Sequence, residues 1–322
     1  MRAVYADSID PDDPLAGLVV AERPEPEPPP GWTRVAVKAG SLNHHDLWTL
    51  RGVGIKAEQL PMILGCDAAG IDTATGAEVV VHGVISDSGW TGDETLDPGR
   101  SLLSERYQGS LAELVAVPTG NLIRKPAELS FAEAACLPTA WLTAYRMLFV
   151  NSGLRPGQTV LVQGATGGVA SACILLARTA GLRVWATART EAKQATALEL
   201  GAHQAFGSGA RLPERVDAVL ETVGAATWSH SVKSLRPGGR IVISGATSGA
   251  MPPAELNRIF FLQLQVIGST MGTRGELADL IRLLVSTGLR PPIDRTLPLE
   301  QVADGLAAME SGSLVGKIVI EP

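Results

Sequence analysis

The 322-residue chain, 45% hydrophobic, is too long for one small core, and at roughly 100 to 200 residues per domain it points to two. A net charge of -6 and a pI near 5.5 exclude nucleic acid or an anionic membrane surface as a general partner, because either needs a basic patch and no basic run occurs. No stretch reaches ~20 apolar residues, MRAVYADSID is no basic apolar leader, and Cys66, Cys136 and Cys173 stand far apart, so the expectation is a soluble cytoplasmic protein with buried free thiols and no disulfide framework.

Residues 1–124 read as an all-β pattern of short runs and turns, with strands expected at 2–5, 18–23, 34–39, 66–72, 78–82 and 111–117. The proline run ERPEPEPPPGW at 22–32 lies between two of these strands and reads as a stiff connector rather than a polyproline ligand. Residues 87–106 are polar and without periodicity, as a surface loop is. Across 42–51 the pattern changes: Leu42, Asn43, Asp46, Leu47 and Leu50 have the spacing of a short helix, with Asn43 suited to cap its first turn. Asn43, His44, His45 and Asp46, with Trp48 close by, make a polar cluster unusual in a β-rich region. Helical spacing sets Asn43 and Asp46 on one face, which fits either the wall of a site or an N-cap followed by solvated histidines.

From 131 to 150 the chain turns helical, and Pro138 interrupts it so that Thr139 begins a second segment. The stretch 159–193 then reads strand, glycine turn, helix, strand. A β-branched run at 159–163 enters Gly164-Ala165-Thr166-Gly167-Gly168, a helix follows from Val169 to 180, and a strand at 182–187 comes so soon after that the two strands must be parallel with the helix as a crossover. By itself the turn is equally a tight strand-to-helix corner, since alanine holds the first and last glycine places of the three-glycine fingerprint. In context, Ala165, Thr166, Gly167, Gly168 and Val169 form a candidate pyrophosphate cradle, with backbone amides and the positive end of the helix facing the anion. A helix at 191–200, strands at 203–206 and 216–221, a helix at 228–235, a strand at 240–244, a helix from Pro252-Pro253 to 264 and a strand at 265–270 complete a doubly wound parallel sheet of six strands. The tail alternates helix (276–286), strand (293–297), helix (300–309) and strand (317–320), and is expected to return to the first domain. An inserted cofactor domain of this kind places its ligand cleft at the domain interface and the switch point of the sheet.

The ordered set SLNHHDLWTLRG, PMILGCDAAG, LPTAWLTAYRML, VLVQGATGGVAS, TARTEAK, LRPGGRIVISGATSG, QVIGSTMGTR and GKIVI resembles, over the whole chain, the medium-chain dehydrogenase/reductase superfamily, and within it the zinc-free quinone oxidoreductase-like branch. The resemblance implies an α/β protein: a GroES-like catalytic domain at 1–124 and 272–322, a Rossmann NADP(H)-binding domain at 125–271, NADPH in the cleft, and a homodimer or homotetramer. Zinc-dependent relatives carry a four-cysteine structural site and a catalytic Cys, His, Cys site. Three cysteines cannot supply the first. At the second, the resemblance sets Asn43 on the first cysteine position and Cys66-Asp67 on the His-Glu positions, with no third ligand near Thr139, so no metal is expected.

At the end of the second Rossmann strand an acidic residue would hold the 2′-hydroxyl of NAD; here the cofactor candidates are Thr187 at the strand end, Arg189 and, one turn into the next helix, Lys193, the two cations suited to the 2′-phosphate of NADPH. For the nicotinamide end the resemblance suggests Thr139, Gly245-Ala246-Thr247 and Thr270-Met271-Gly272, and by analogy Lys317 either approaches the phosphates or is a surface lysine at the start of its strand. The reaction it implies is hydride transfer from NADPH to a quinone or an α,β-unsaturated carbonyl, with oxygen charge stabilised by Asn43, His44 or His45, Asp46 orienting its neighbours, and Trp48 and Trp141 either stacking on a flat acceptor or filling the core. A zinc-dependent alcohol dehydrogenase and a non-catalytic NADPH-binding protein are the competing readings.

Overall fold

Strand formation at the N-terminus follows the alternation of apolar and polar side chains. In the computed structural model, which describes residues 1–322, β1 (Arg2–Ala6) and β2 (Leu18–Glu22) pair antiparallel from Arg2 opposite Glu22 to Ala6 opposite Leu18. After the proline run comes β3 (Trp32–Ser41), alternately buried until its last residues, which are buried on both faces. The helix α1 (His44–Leu50) begins at Asn43, but Asp46 makes the cap by reaching back to the Asn43 amide at 2.8 Å. Then come β4 (Met62–Ile63), β5 (Ala68–Asp72), β6 (Glu78–Val81), β7 (Val84–Ile85), β8 (Ser101–Leu102), β9 (Leu114–Pro118) and β10 (Leu122–Arg124). Residues 87–106 are tied down by Asp97, whose carboxylate accepts from the Asp87 and Gly99 amides at 2.7 Å. Next is α2 (Phe131–Ala135), started by a capping box between Ser130 and Glu133. Pro138 has no amide to continue an α-helix, and Leu137–Trp141 form a wider π-turn before α3 (Leu142–Tyr145).

The nucleotide-type elements follow as β11 (Thr159–Val162), α4 (Gly168–Thr179), β12 (Arg183–Ala188), α5 (Glu191–Glu199), β13 (Gln204–Gly207), β14 (Val216–Glu221), α6 (Ala225–Ser234), β15 (Leu235–Ile243), α7 (Leu256–Phe261) and β16 (Gln265–Gly268). The helix expected from the proline pair to 264 shrinks to α7 because Glu255 takes a left-handed backbone, φ 49°, that no helix continues through. The tail is α8 (Arg274–Thr287), β17 (Ile293–Pro298), α9 (Val302–Ser311) and β18 (Lys317–Glu321).

Contacts divide the chain into two units, residues 1–142 with 271–322 and residues 143–270. The first unit holds the sheet β10-β6-β5-β3-β18-β17, with β9 also on β3, and the small sheets β2-β1-β4 and β7-β8. Its tail returns as expected: β18 runs antiparallel to β3 and parallel to β17. One core joins Leu42, Leu47 and Leu50 around α1 to Leu306 of α9 and Ile318 of β18. Residues 125–142, expected with the nucleotide-binding domain, belong to the first unit, where the Ser41 hydroxyl donates to the Ala135 carbonyl at 3.1 Å and Lys125 pairs with Glu78 at 3.0 Å. The second unit is one six-stranded sheet in the order β13-β12-β11-β14-β15-β16 with every neighbour parallel. That is the doubly wound Rossmann order, with the switch between β11 and β14. Its core packs Leu161, Trp185, Val219, Trp228 and Ile241.

His82 locks the returning tail to the first unit. It is buried and its Nε2–H donates to the Gly272 carbonyl at 2.8 Å. Burial pushes its pKa below the usual histidine value and Arg274 adds to this, against the Gly272 bond and Glu94. A histidine depressed in the folded state is protonated preferentially when unfolded, so the stability it contributes is present at neutral pH and lost as pH falls below about 6.5. His82→Gln should lower the melting temperature at pH 7 and flatten its decline between pH 7 and pH 5; an unchanged slope would remove His82 from this role.

Candidate active site

The end of β3 and the start of α1 bring Asn43 against β5 and β18, and its amide is held at both ends. Its Nδ2 donates to Asp67 Oδ2 at 2.8 Å and to the Ser41 carbonyl at 3.3 Å, and lies 3.7 Å from Cys66 Sγ. Its Oδ1 accepts from the Lys317 ammonium at 2.6 Å. Lys317, expected on the cofactor phosphates, is instead 97% buried: the ammonium donates to the Leu42 carbonyl at 2.5 Å and lies 3.5 Å from Asp67 Oδ2. A lysine can be buried only with acceptors around it, and β18 lies where the Leu42 and Asn43 oxygens supply them. Asp67 also accepts from the Ser41 hydroxyl at 2.6 Å, while its Oδ1 has no partner. Removing either member of such a pair strands a buried charge, at a cost of about 3–5 kcal/mol.

Two of the other proposed catalytic side chains, Asp46 and His45, are occupied. Asp46 is fully buried and accepts from the Asn43 and Gly65 amides at 2.8 and 2.9 Å, which ties α1 to the loop before β5; burial raises its pKa against those bonds. His45 bonds Glu105 at 3.0 Å and Ser104 at 3.2 Å, anchoring the loop that follows β8. Trp141 is buried in the core, whereas Trp48 is 36% exposed, its ring 6.5 Å from that of His44. His44 is exposed on the same turn, yet the protein packed around its ring, with the charges of Lys317 and Arg51, lowers its pKa and favours a neutral imidazole. Cys66 is fully buried, its thiol pushed well up by burial, Asp67 and Asp46, and its sulfur lies 3.3 Å from the half-buried Thr139 hydroxyl.

No three His, Cys, Asp or Glu side chains are placed to hold a metal ion. The positions assigned by resemblance to the catalytic ligands carry an amide, a neutral thiol and a hydroxyl. A cation there would also face the Lys317 ammonium.

In the second unit, Gly164 turns the chain with φ 86° and α4 starts at Gly167 without a side-chain cap. A Cβ at Gly167 would meet nothing within 4 Å, and its φ of -68° suits any residue. The protein's own packing therefore does not require this glycine, and the space over the amides of α4 fits an anionic ligand. Ala165 and Thr166 are buried in the turn, and Val169 follows in the first turn of α4. Thr187 does not face outward: it is buried, accepts from the Gly164 amide at 3.3 Å and donates to Gln163 Oε1 at 2.6 Å. Gln163 in turn donates to Ser231, and Ser231 to the buried Glu221 at 2.6 Å, a support beneath the turn that the sequence did not reveal. Arg189 is exposed beside Lys193, whose pKa is lowered by burial and by the Arg189 charge. Two cations that repel each other at the end of β12 are what an anion would relieve.

Gly245 and Ala246 lie half-buried after β15, with Thr247 exposed, and Thr270 is exposed after β16. Met271 is buried with φ 48° and the Gly272 carbonyl is taken by His82, so this end of the expected nicotinamide loop is committed to the first unit.

Residues 29–127 match the family model for the alcohol dehydrogenase GroES-like domain, and residues 168–286 match that for zinc-binding dehydrogenase. The chain is 26% identical to the acryloyl-coenzyme A reductase of Sulfurisphaera tokodaii over 96% of its own length and 98% of that protein. It is 29% identical to the crotonyl-CoA reductase of Streptomyces collinus over 95% of its own length and 82% of that protein. A crystal structure of an NAD-dependent alcohol dehydrogenase superposes with a TM-score of 0.92 at 35% identity, covering 100% of both chains. With both halves matched in order and the parallel sheet in Rossmann order, the chain belongs to the medium-chain dehydrogenase/reductase superfamily.

Proposed function

We propose that the chain is an NADPH-dependent reductase that adds hydride to the β-carbon of an α,β-unsaturated carbonyl compound, or to a quinone of the same electronic type, without zinc. The observation that carries this reading is the donor set at Asn43, Cys66 and Thr139. Catalytic zinc takes three protein ligands of nitrogen, sulfur or carboxylate oxygen; here the thiol is held neutral and the amide oxygen is bound to an ammonium. Such a site does not fit zinc, and alcohol oxidation loses its Lewis acid. A conjugated carbonyl is already electrophilic and asks only for hydrogen-bond donors at its oxygen. Two relatives are named for the reduction of acryloyl- and crotonyl-CoA, both conjugated thioesters, which favours enoyl substrates over quinones.

NADP(H), when bound, supplies the hydride. The α4 amides with Gly167 and Gly168 would hold its pyrophosphate, Arg189 and Lys193 its 2′-phosphate, and the Gly245-Ala246-Thr247 and Thr270 loops would orient its nicotinamide ring. The solved alcohol dehydrogenase is described as NAD-dependent; the repelling Arg189 and Lys193 pair argues for the phosphorylated nucleotide here. Asn43, locked by Lys317 and Asp67, belongs to the framework, and the exposed His44 and Trp48 lie with their rings 6.5 Å apart. Water delivers the final proton in this reading.

The edge of the second unit's sheet supports a second copy of the chain as partner. On β16 and in the helix α7 that precedes it, the side chains of Val266, Phe260 and Phe261 are exposed, Phe261 by 80%. An open edge strand with apolar flanks is complementary to its own two-fold copy, and a second chain is the occupant we assign to it.

Fluorescence titration should show NADPH binding at least tenfold tighter than NADH, with Arg189→Ala removing most of the difference; equal affinities would discard the assignment. In a panel of enoyl thioesters, enones, quinones and saturated alcohols, NADPH oxidation is expected with the conjugated acceptors, and turnover confined to alcohols would contradict the proposal. Sedimentation should give a dimer that Val266→Lys with Phe261→Asp converts to a monomer still binding NADPH, whereas a monomeric native chain would reject the edge.

A further inference from the structure

We infer that Thr139 is the catalytic hydrogen-bond donor to the acceptor's carbonyl oxygen, and that Asn43 and Cys66 form a line of donors that leaves the Thr139 proton free for it. The inference rests on the reductase reading above. Asn43 cannot serve directly, because Oδ1 is bound by Lys317 and Nδ2 is taken by Asp67, Ser41 and the Cys66 sulfur. Lys317 therefore fixes which end of the amide faces Cys66. The sulfur accepts on that side and lies 3.3 Å from the Thr139 hydroxyl, a contact in which either atom can donate, and the inference assigns the thiol as its donor. Burial keeps the thiol protonated, and a hydroxyl oxygen is a better acceptor than a sulfur already receiving a hydrogen bond. A threonine that accepts from the thiol has its O–H left for a ligand. It sits in the π-turn Leu137–Trp141, an interruption of regular helix of a kind often found at functional sites, and it is half-buried while its neighbours Pro138 and Ala140 are buried.

In the step so assigned, the hydride and its electron pair pass from the reduced nicotinamide to the β-carbon, the C=C π bond opens, and the negative charge moves to the carbonyl oxygen. Thr139 donates a hydrogen bond to that oxygen and keeps its proton. The α-carbon then takes a proton from water, restoring the carbonyl. Thr139 is thereby reassigned from the nicotinamide to the acceptor.

The infrared S–H stretch of Cys66, isolated by difference against Cys66→Ala, reads the donor line without turnover. It should move to the free-thiol position in Thr139→Val and stay bonded in Thr139→Ser; a band already free in the native chain, or unmoved by Thr139→Val, overturns the line. In kinetics, Thr139→Val should lower kcat on a conjugated carbonyl by about 100-fold with NADPH affinity unchanged by titration, and Thr139→Ser should recover most of it. Weakened NADPH binding with kcat intact would return Thr139 to the cofactor and reject the inference. A native chain that reduces no conjugated carbonyl would overturn the reductase reading and Thr139's catalytic role with it, while the infrared band would still decide the donor line.

Discussion

A buried ammonium organises the first unit. Lys317 on β18 lies among the Leu42 carbonyl, the Asn43 amide oxygen and Asp67, with three strands and the start of α1 meeting at that point. The desolvation cost of such a charge is several kcal/mol and is offset only when its acceptors are in place, so β3, β5 and β18 must assemble together for the lysine to be tolerated at all. The same contacts underlie the zinc-free reading proposed for the cluster: the fixed positive charge of Lys317 opposes a bound cation, and it orients the Asn43 amide toward Cys66.

The second unit meets a different constraint, the delivery of backbone amides to an anion. The parallel order of the sheet puts the β11 to α4 turn at the switch point, and Gly167 leaves the approach to α4 open. Thr187, Gln163, Ser231 and Glu221 then hold the strand ends beneath the turn, so that its geometry exists before any ligand arrives. Preorganisation of this kind reduces the ordering cost of binding.

Much of this was legible in the chain alone. The β-branched runs, the glycine turn and the short connections forced a doubly wound parallel sheet, and the absence of an acid after Thr187 pointed to Arg189 and Lys193. The buried lysine was not legible, because GKIVI reads as a strand with a surface residue at its start and only the pairing of β18 with β3 carries Lys317 inward. The bonding of Thr187 was hidden for a related reason: a threonine at a strand end looks available until Gln163, at the end of the neighbouring strand, is seen to accept its hydrogen bond. His45 and Asp46 stood out as members of a polar cluster at the start of α1, but their partners Glu105 and Gly65 come from loops whose positions no periodicity encodes. The two-residue strands β4, β7 and β8 are too short to leave a pattern.

The central proposal is that a hydrogen-bonded cluster about the buried Lys317, rather than a metal, forms the polar centre of the first unit. Cobalt(II) titration of the purified chain, followed in the near ultraviolet for sulfur-to-metal charge transfer, tests it most directly. The account predicts no such band at stoichiometric cobalt, with Cys66 remaining a thiol. A saturable band at one equivalent, lost in Cys66→Ala, would contradict it.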